Sequence, residues 1–358
     1  MRACRRTLLA FLLLPLFAFA AAIHLPAQSS DHHIFQRPAL SKDMICFGYA
    51  DDLWTVPRAG GKATILTTGV GIETAPVFSP DGQTIAFTAD YDGNTDVFTI
   101  PAAGGIPYRV TYHPAPDYAV GWSNDGAQIL FRSTRDSHSR YTQLYAIPAR
   151  GGVARVLPLP MAYQGAYSPD GKEMAYSPLS PGFGFNYTSY VAWGNYHGGL
   201  AGSIWITTLP GLDSVEIPHE KATDYSPVYA GGSIYFLSGR NGPITIFKYD
   251  PAKKTVTEVL KNTASDIHTL SGSGNTLVYD QLGEIYLFDT ASGKSRHVPI
   301  QVDADLPEVR PHIMTVAEQI ENVRISPTGV RAVVEAHGDI FTVPAKHGPT
   351  RDITNTPG

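Results

Sequence analysis

The chain has 358 residues, of which 43% are hydrophobic, a share that excludes a disordered polypeptide. Only 16% are charged and the formal net charge is −5, which removes the cationic surface a nucleic-acid partner needs. Its 34 glycines and 28 prolines suit a chain of many short strands joined by turns.

The first 22 residues read as a secretory leader. Arg2, Arg5 and Arg6 precede an apolar run from Leu8 to Phe19, and Ala18, Ala20, Ala21 and Ala22 offer a small-residue cleavage site. The run is shorter than the ~20 residues of a membrane span, although a retained anchor is the alternative. Cleavage takes away three arginines, moving the charge from −5 to −8. The expected location is periplasmic or secreted, with no membrane contact after cleavage. Cys4 lies ahead of the apolar run, so Cys46 is the one thiol of the mature chain and has no internal disulfide partner. Its neighbours Ile45 and Phe47 place it in a strand as a small buried residue.

A repeat then governs the sequence. Met44-Ile-Cys-Phe47 leads to Asp52-Leu-Trp-Thr-Val-Pro57 and to Gly60-Gly61. Ser79-Pro-Asp-Gly82 and Ile85-Ala-Phe87 lead to Asp96-Val-Phe-Thr-Ile-Pro101 and to Gly104-Gly105. The next copies begin at Ser123-Asn-Asp-Gly126 and Ser168-Pro-Asp-Gly171, 44 and 45 residues apart. Weaker copies run from Ser233, from Thr276 and from Ser326, the last reaching Asp339-Ile-Phe-Thr-Val-Pro344. In the unit a turn separates two apolar strands; where it reads S-P-x-G, at Ser79, Ser168 and Ser326, Pro presets φ and Gly accepts positive φ. An Asp/Asn/Gly turn leads to a third strand, and a Gly-Gly turn to a fourth. Four antiparallel strands every 40 to 45 residues make the blade of a β-propeller.

The fourth copy carries an insertion between Tyr176 and Ile204 that fits no strand or helix period. It is rich in glycine and aromatic residues, a composition in which function is carried by loops on a rigid scaffold. Tyr190, Trp193, Tyr196 and His197 are expected to contact a peptide, a neighbouring domain or another subunit. The alternative is a loop packed on itself.

The segment 303–316 is acidic and carries Pro307 and Pro311, so it reads as a linker. The expected organisation is therefore a signal at 1–22, a six-bladed propeller at 31–302, the linker, and the first blade of a second, incomplete propeller at 317–358. One seven-bladed ring is the alternative. A lone blade cannot bury its faces, so the polypeptide is expected to be a fragment of a longer product.

The S-P-D-G…A-(F/Y)…D-(I/V)-(W/F/Y) unit resembles the TolB-type propeller repeat. The run Trp193-Gly-Asn-Tyr196-His197-Gly-Gly199 to Ser203-Ile-Trp205 looks like the fourth-blade segment of tricorn-protease-like proteins, and Arg331 to Pro344 looks like the first blade of their second propeller. Relatives carry Lys and Arg where Gly194, Asn195 and His197 stand here, and an Asp where Ser203 stands. The resemblance implies a six-bladed and a seven-bladed propeller followed by PDZ-like and serine-peptidase domains. The catalytic residues of that family lie in the later domains, so none is carried over.

Catalytic signatures are missing from the letters as well. There is no G-x-S-x-G elbow, and His219-Glu220 fails as a zinc helix because Thr stands at position 223. Gly69-Val-Gly71 lacks the third glycine of a dinucleotide loop, and Asn186-Tyr-Thr188 is a sequon by letters alone. Asp90, Asp92, Asn94 and Asp96 alternate like calcium ligands, but an inter-strand turn explains them better. No catalytic, cofactor or metal residue is predicted. The expected role is a non-catalytic module of an exported tricorn-like serine peptidase that gates or positions peptides. Its partners would be peptides or protein domains, with a homo-oligomer formed through the propeller as a further option. The alternatives are a TolB-like protein-binding scaffold and a propeller ahead of an α/β-hydrolase domain.

Overall fold

The computed structural model describes residues 33–139, 141–181, 201–209, 213–306 and 315–354. The leader, the four aromatic-loop positions Tyr190, Trp193, Tyr196 and His197, the sequon at Asn186 and most of the linker lie outside the described residues.

Local chemistry builds the repeat. Ser79 Oγ donates to Asp81 Oδ1 at 2.6 Å and accepts from Thr84 N at 3.0 Å, while Gly82, at φ +72°, donates its N–H to Ser79 O. The same closed turn recurs at Ser123/Asp125/Gly126 and Ser168/Asp170/Gly171. The serine hydroxyls hold Asp81, Asp125 and Asp170 below the usual carboxylate range. The calcium-like run closes as a two-residue hairpin turn at Asp92 and Gly93, with φ of +57° and +78°.

Among the described residues, six sheets of four antiparallel strands follow one another from Gln36 to His297. Their first strands are Gln36–Leu40, Ile72–Phe78, Asp117–Trp122, Gln164–Tyr167, Asp224–Ala230 and Leu270–Ser273. Each first strand lies beside the next, and the sixth lies beside the first. The sheets therefore stand around an axis with their first strands innermost, the propeller architecture that the repeat implies.

In every one of the six sheets an aromatic on the second strand pairs directly with an aromatic on the third. The pairs are Phe47–Trp54, Phe87–Phe98, Phe131–Tyr145, Tyr176–Trp205, Phe236–Phe247 and Tyr279–Tyr286. Ring centroids in the four stacked pairs lie 5.2 to 6.0 Å apart. Cross-strand aromatic pairs add about 0.2–1 kcal/mol each beyond their burial. Phe47, Phe87, Phe131 and Phe236 are wholly buried, each worth about 1.5–3 kcal/mol in removed apolar surface.

The last sheet is joined to the first by backbone and core together. Ile300–Gln301 runs parallel to Gly61–Lys62, with Gly61 N donating to Pro299 O and Ala63 N to Gln301 O, both at 2.8 Å. Phe35 N donates to Gly283 O at 2.9 Å. Phe35, Phe47 and Trp54 from the first sheet pack with Ile285, Leu287 and Val298 from the sixth. Leu306, within the segment expected to be linker, is buried in the same cluster.

A seventh four-stranded sheet covers Ile320 to Asp352. Its Ile340 is 40% exposed, whereas Val97 at the equivalent place in the second sheet is wholly buried. Ile320, Val323 and Ile325 along its first strand are exposed as well.

The junction between first and sixth sheets generates a test. Gly60 (φ +89°) and Gly104 (φ +92°) occupy the same turn in successive sheets. A Cβ on Gly60 would meet Pro299 O at 2.3 Å, while one on Gly104 would meet nothing within 4 Å. Gly104→Ala should therefore cost only about 1 kcal/mol of backbone strain. Gly60→Ala should cost that plus the clash, about 3 kcal/mol in all, read by urea denaturation. Equal losses would show that the junction does not constrain the turn.

Candidate functional site: the axial channel

The first strands are edge strands, because their inner side faces the axis and pairs with no further strand of their sheet. Proline is tolerated on such an edge. Three of them carry it in one device: Arg37-Pro38, Ala75-Pro76 and Ser226-Pro227. The residue ahead of each proline has a left-handed φ of +49°, +50° and +54°, and the strand register breaks at the same point. Each is a β-bulge that leaves two residues out of the ladder and turns the backbone toward the axis. A conformation rare for non-glycine residues, repeated at one place on three strands, is the kind of strain that functional surfaces hold.

These bulges line a cavity of about 310 Å³ on the axis, to which all six first strands contribute. Its wall is apolar and polar in about equal measure, with Leu40, Val77, Phe78, Val120, Trp122 and Val228 on the apolar side. Arg37, Arg132, Asn124, Gln164, Ser226 and Thr269 supply polar groups, and no carboxylate lines it among the described residues. Arg132 packs between the rings of Tyr118 and Tyr163, at 4.7 and 4.1 Å from their centroids. Gln164 Oε1 accepts from Ser226 N at 2.9 Å, tying the fourth sheet to the fifth across the wall. Asn124 Nδ2 donates to Ser168 O at 2.7 Å and ties the third to the fourth. Thr269 donates its N–H to Asp280 Oδ1 at 3.0 Å, and the same carboxylate, by hydrogen bonding, holds the adjacent His268 above its ordinary value.

Two buried ion pairs brace one end of the channel wall. Asp117 and Asp224 open their inner strands and are wholly buried. Arg135 donates to Asp117 while stacking over Phe131 and Tyr145, 4.8 and 5.4 Å from their centroids. Arg240 donates to Asp224 at 2.6 Å while stacking over Phe236 and Phe247, at 5.5 and 5.1 Å. The guanidinium thus neutralises the acid and caps the aromatic pair of its own sheet. Burial still keeps the Asp117 carboxyl above its ordinary value. His219 Nδ1 lies 3.0 Å from Asp224 Oδ2, so the fifth-sheet acid serves two partners.

These braces escaped the sequence reading, although Phe131-x-Ser133-x-Arg135 and Phe236-x-Ser238-x-Arg240 share one pattern. So did the spacing of fifteen between Asp52 and Thr67, Asp96 and Thr111, and Asp339 and Thr354. In these sheets the threonine Oγ1 accepts from the backbone N–H after the aspartate: Leu53, Val97 and Ile340. Among the described residues no group of three or more His, Cys, Asp or Glu could hold a metal ion.

Sheets arranged about an axis, with inner strands bulged toward a mixed polar and apolar channel, define the class: a β-propeller whose candidate site is its axial channel. The family model for the tricorn protease N-terminal β-propeller domain matches residues 32–294, and the chain belongs to that family. Tricorn protease homolog 1 of Streptomyces coelicolor is 25% identical over 327 residues, covering 88% of this chain and 29% of that protein. The tricorn protease homolog of Saccharolobus solfataricus is 22% identical over 327 residues, covering 90% and 30%. The crystal structure of the tricorn protease superposes with a TM-score of 0.68 at 21% identity, over 90% of this chain and 31% of that one. The chain thus spans less than a third of the length of the curated relatives it matches.

The Arg240 brace is testable. Its side chain is 5% exposed and Asp224 is wholly buried. Arg240→Met keeps the stacking volume but leaves a buried carboxylate short of its cation. The expected loss is about 3–5 kcal/mol in chemical denaturation. A loss below about 1 kcal/mol would mean that His219 or water compensates and that the brace is dispensable.

Proposed function

We propose that this propeller is a non-catalytic module of an exported, tricorn-like serine peptidase that admits or positions peptides for catalytic residues carried by other domains. The axial channel supports this reading most directly. Its inner strands offer unpaired backbone edges, to which extended peptides can hydrogen-bond. Its wall combines apolar surface with a comparable share of polar groups, several of them fixed by hydrogen bonds, which suits a peptide carrying both backbone and side chains. Membership of the tricorn N-terminal propeller family supports the peptidase context. In this reading Tyr190, Trp193, Tyr196 and His197 contact the peptide, a neighbouring domain or another subunit. The seventh sheet, with its exposed apolar strand, is the first blade of a second propeller.

Two outcomes are expected. Val120 lines the channel and is half-buried, packed against the core cluster of Leu130, Leu144 and Met174, so Val120→Trp should narrow the channel at a cost of about 1–3 kcal/mol in stability. In the complete peptidase, assayed well below its melting temperature, this should reduce turnover of long peptides several-fold and leave short-peptide turnover unchanged. Replacing Trp193 and Tyr196 together by Ala should likewise shift chain-length preference or oligomer size. Length-independent kinetics in both variants would remove the gating role.

The export reading predicts a mature N-terminus between Ala21 and Ser30. Intact-mass measurement of protein recovered from the periplasm should show a loss of about 2–3 kDa, at roughly 110 Da per residue. A full-length, membrane-retained chain would refute it.

A further inference from the structure

The seam between the second and third sheets is bridged at both ends by an aromatic donor. Trp122, the last residue of the third sheet's inner strand, donates its ring N–H back to Val77 O at 3.0 Å. Tyr108, on the outer strand of the second sheet, donates its hydroxyl forward to Arg150 O at 3.1 Å. In the seams on either side the same two places hold Phe78 with Thr64, and Tyr167 with Arg155. Between the two bridges lies a groove of about 940 Å³. That volume is within the roughly 300–1,000 Å³ typical of ligand sites. The groove meets the axial channel at Trp122 and Asn124, which line both.

The Ser-x-Asp-Gly turns of the two sheets form its walls, so Asp81 and Asp125 both line it. In each turn the serine hydroxyl and one backbone N–H, of Gln83 or of Ala127, donate to Oδ1 of the aspartate. These bonds hold both carboxyls below the usual carboxylate range, so both are anionic at neutral pH. The turns use Oδ1 and leave Oδ2 of each carboxylate for another partner. Apolar surface comes from Pro80, Pro101, Trp122 and Ile106. Ile106 is 91% exposed, a large apolar side chain that no described residue covers. Arg150 adds a positive charge in the turn at the outer end, beside the Tyr108 bridge.

We propose that this groove binds a peptide segment in which a lysine or arginine side chain is flanked by apolar side chains. The cation pairs with Asp81 and Asp125, within the same groove as the Trp122 and Tyr108 rings, whose faces also attract cations. The flanking apolar side chains cover Ile106 and Pro101, which water otherwise surrounds. Arg150 repels the cation from the outer end, so the segment has one preferred direction. An acidic segment is disfavoured, because two carboxylates face one guanidinium. The two bridges and the two closed turns exist before the ligand arrives, so little ordering is left for binding to supply. The groove lies off the axis, and the proposal does not depend on what the channel carries.

Isothermal titration of the full chain with the acetylated, amidated peptides Leu-Lys-Leu and Leu-Glu-Leu tests it. The lysine peptide should bind about tenfold tighter or better, and added salt should shrink the difference. Asp81→Asn combined with Asp125→Asn keeps an Oδ1 acceptor for each turn and removes both charges. It should weaken the lysine peptide about tenfold and bring the two peptides together. Asp170→Asn makes the same change in the fourth sheet's turn, outside the groove, and should alter neither affinity. Ile106→Ser should weaken both peptides several-fold, and it decides alone if the double variant fails to fold. Equal binding of the two peptides, affinity untouched by Ile106→Ser, or an equal loss in Asp170→Asn overturns the proposal. A wild-type dimer that Ile106→Ser dissociates would put a second copy of the chain in the groove and overturns it as well.

Discussion

A four-stranded sheet that is apolar on both faces is not stable alone, and this constraint governs the whole molecule. Each of the six sheets around the axis carries an aromatic pair across its central strands, and the faces of those rings must be covered by the neighbouring sheets. Covering can be completed for all members only if the series returns to its start. The junction between the first and sixth sheets, with a parallel backbone pair and a shared core that takes in Leu306, does this. The seventh sheet shows the counterpart. The same type of strand, with Ile340 where Val97 stands, remains partly exposed where no neighbouring sheet among the described residues covers it.

The ring also creates the channel, as a consequence of where first strands must lie. An inner strand has a partner on one side only, which permits proline and bulges within it, whereas on the third strands proline stands only at the end, as at Pro57, Pro101 and Pro148. The proline-linked bulges at Arg37, Ala75 and Ser226 use this freedom. They line a wall on which polar and apolar groups alternate. The acids that open the inner strands sit deeper, and each sheet solves their burial separately. Two use a guanidinium that also caps the aromatic pair. The second sheet sets the Tyr91 hydroxyl against Glu73 instead.

Most of the repeat was legible because its signals are short-range. Ser79, Asp81, Gly82 and Thr84 close their turn among themselves, so the S-P-D-G letters specify it wherever they occur. Asp92-Gly93 likewise makes a hairpin turn from two adjacent residues, which is why the turn reading of that acidic run was the better one. The Asp–Thr links at a spacing of fifteen were legible in principle but invisible to a search for contiguous motifs. The aromatic insertion holding Trp193 and Tyr196 was read from composition alone, which names residue types but gives them no partners.

The sequence by itself determined the all-β repeat, its strand and turn order, and the propeller class, because alternation, turn chemistry and period are properties of a dozen residues at a time. Only the tertiary structure decided which buried polar group meets which partner. Gln164 and Ser226 are 62 positions apart in sequence and come from different sheets. Their encounter depends on how two sheets are rotated about the axis, and that is fixed by the packing of the entire ring rather than by either segment. A buried carboxyl acquires its chemistry from such neighbours, so the letters E and D could not announce it.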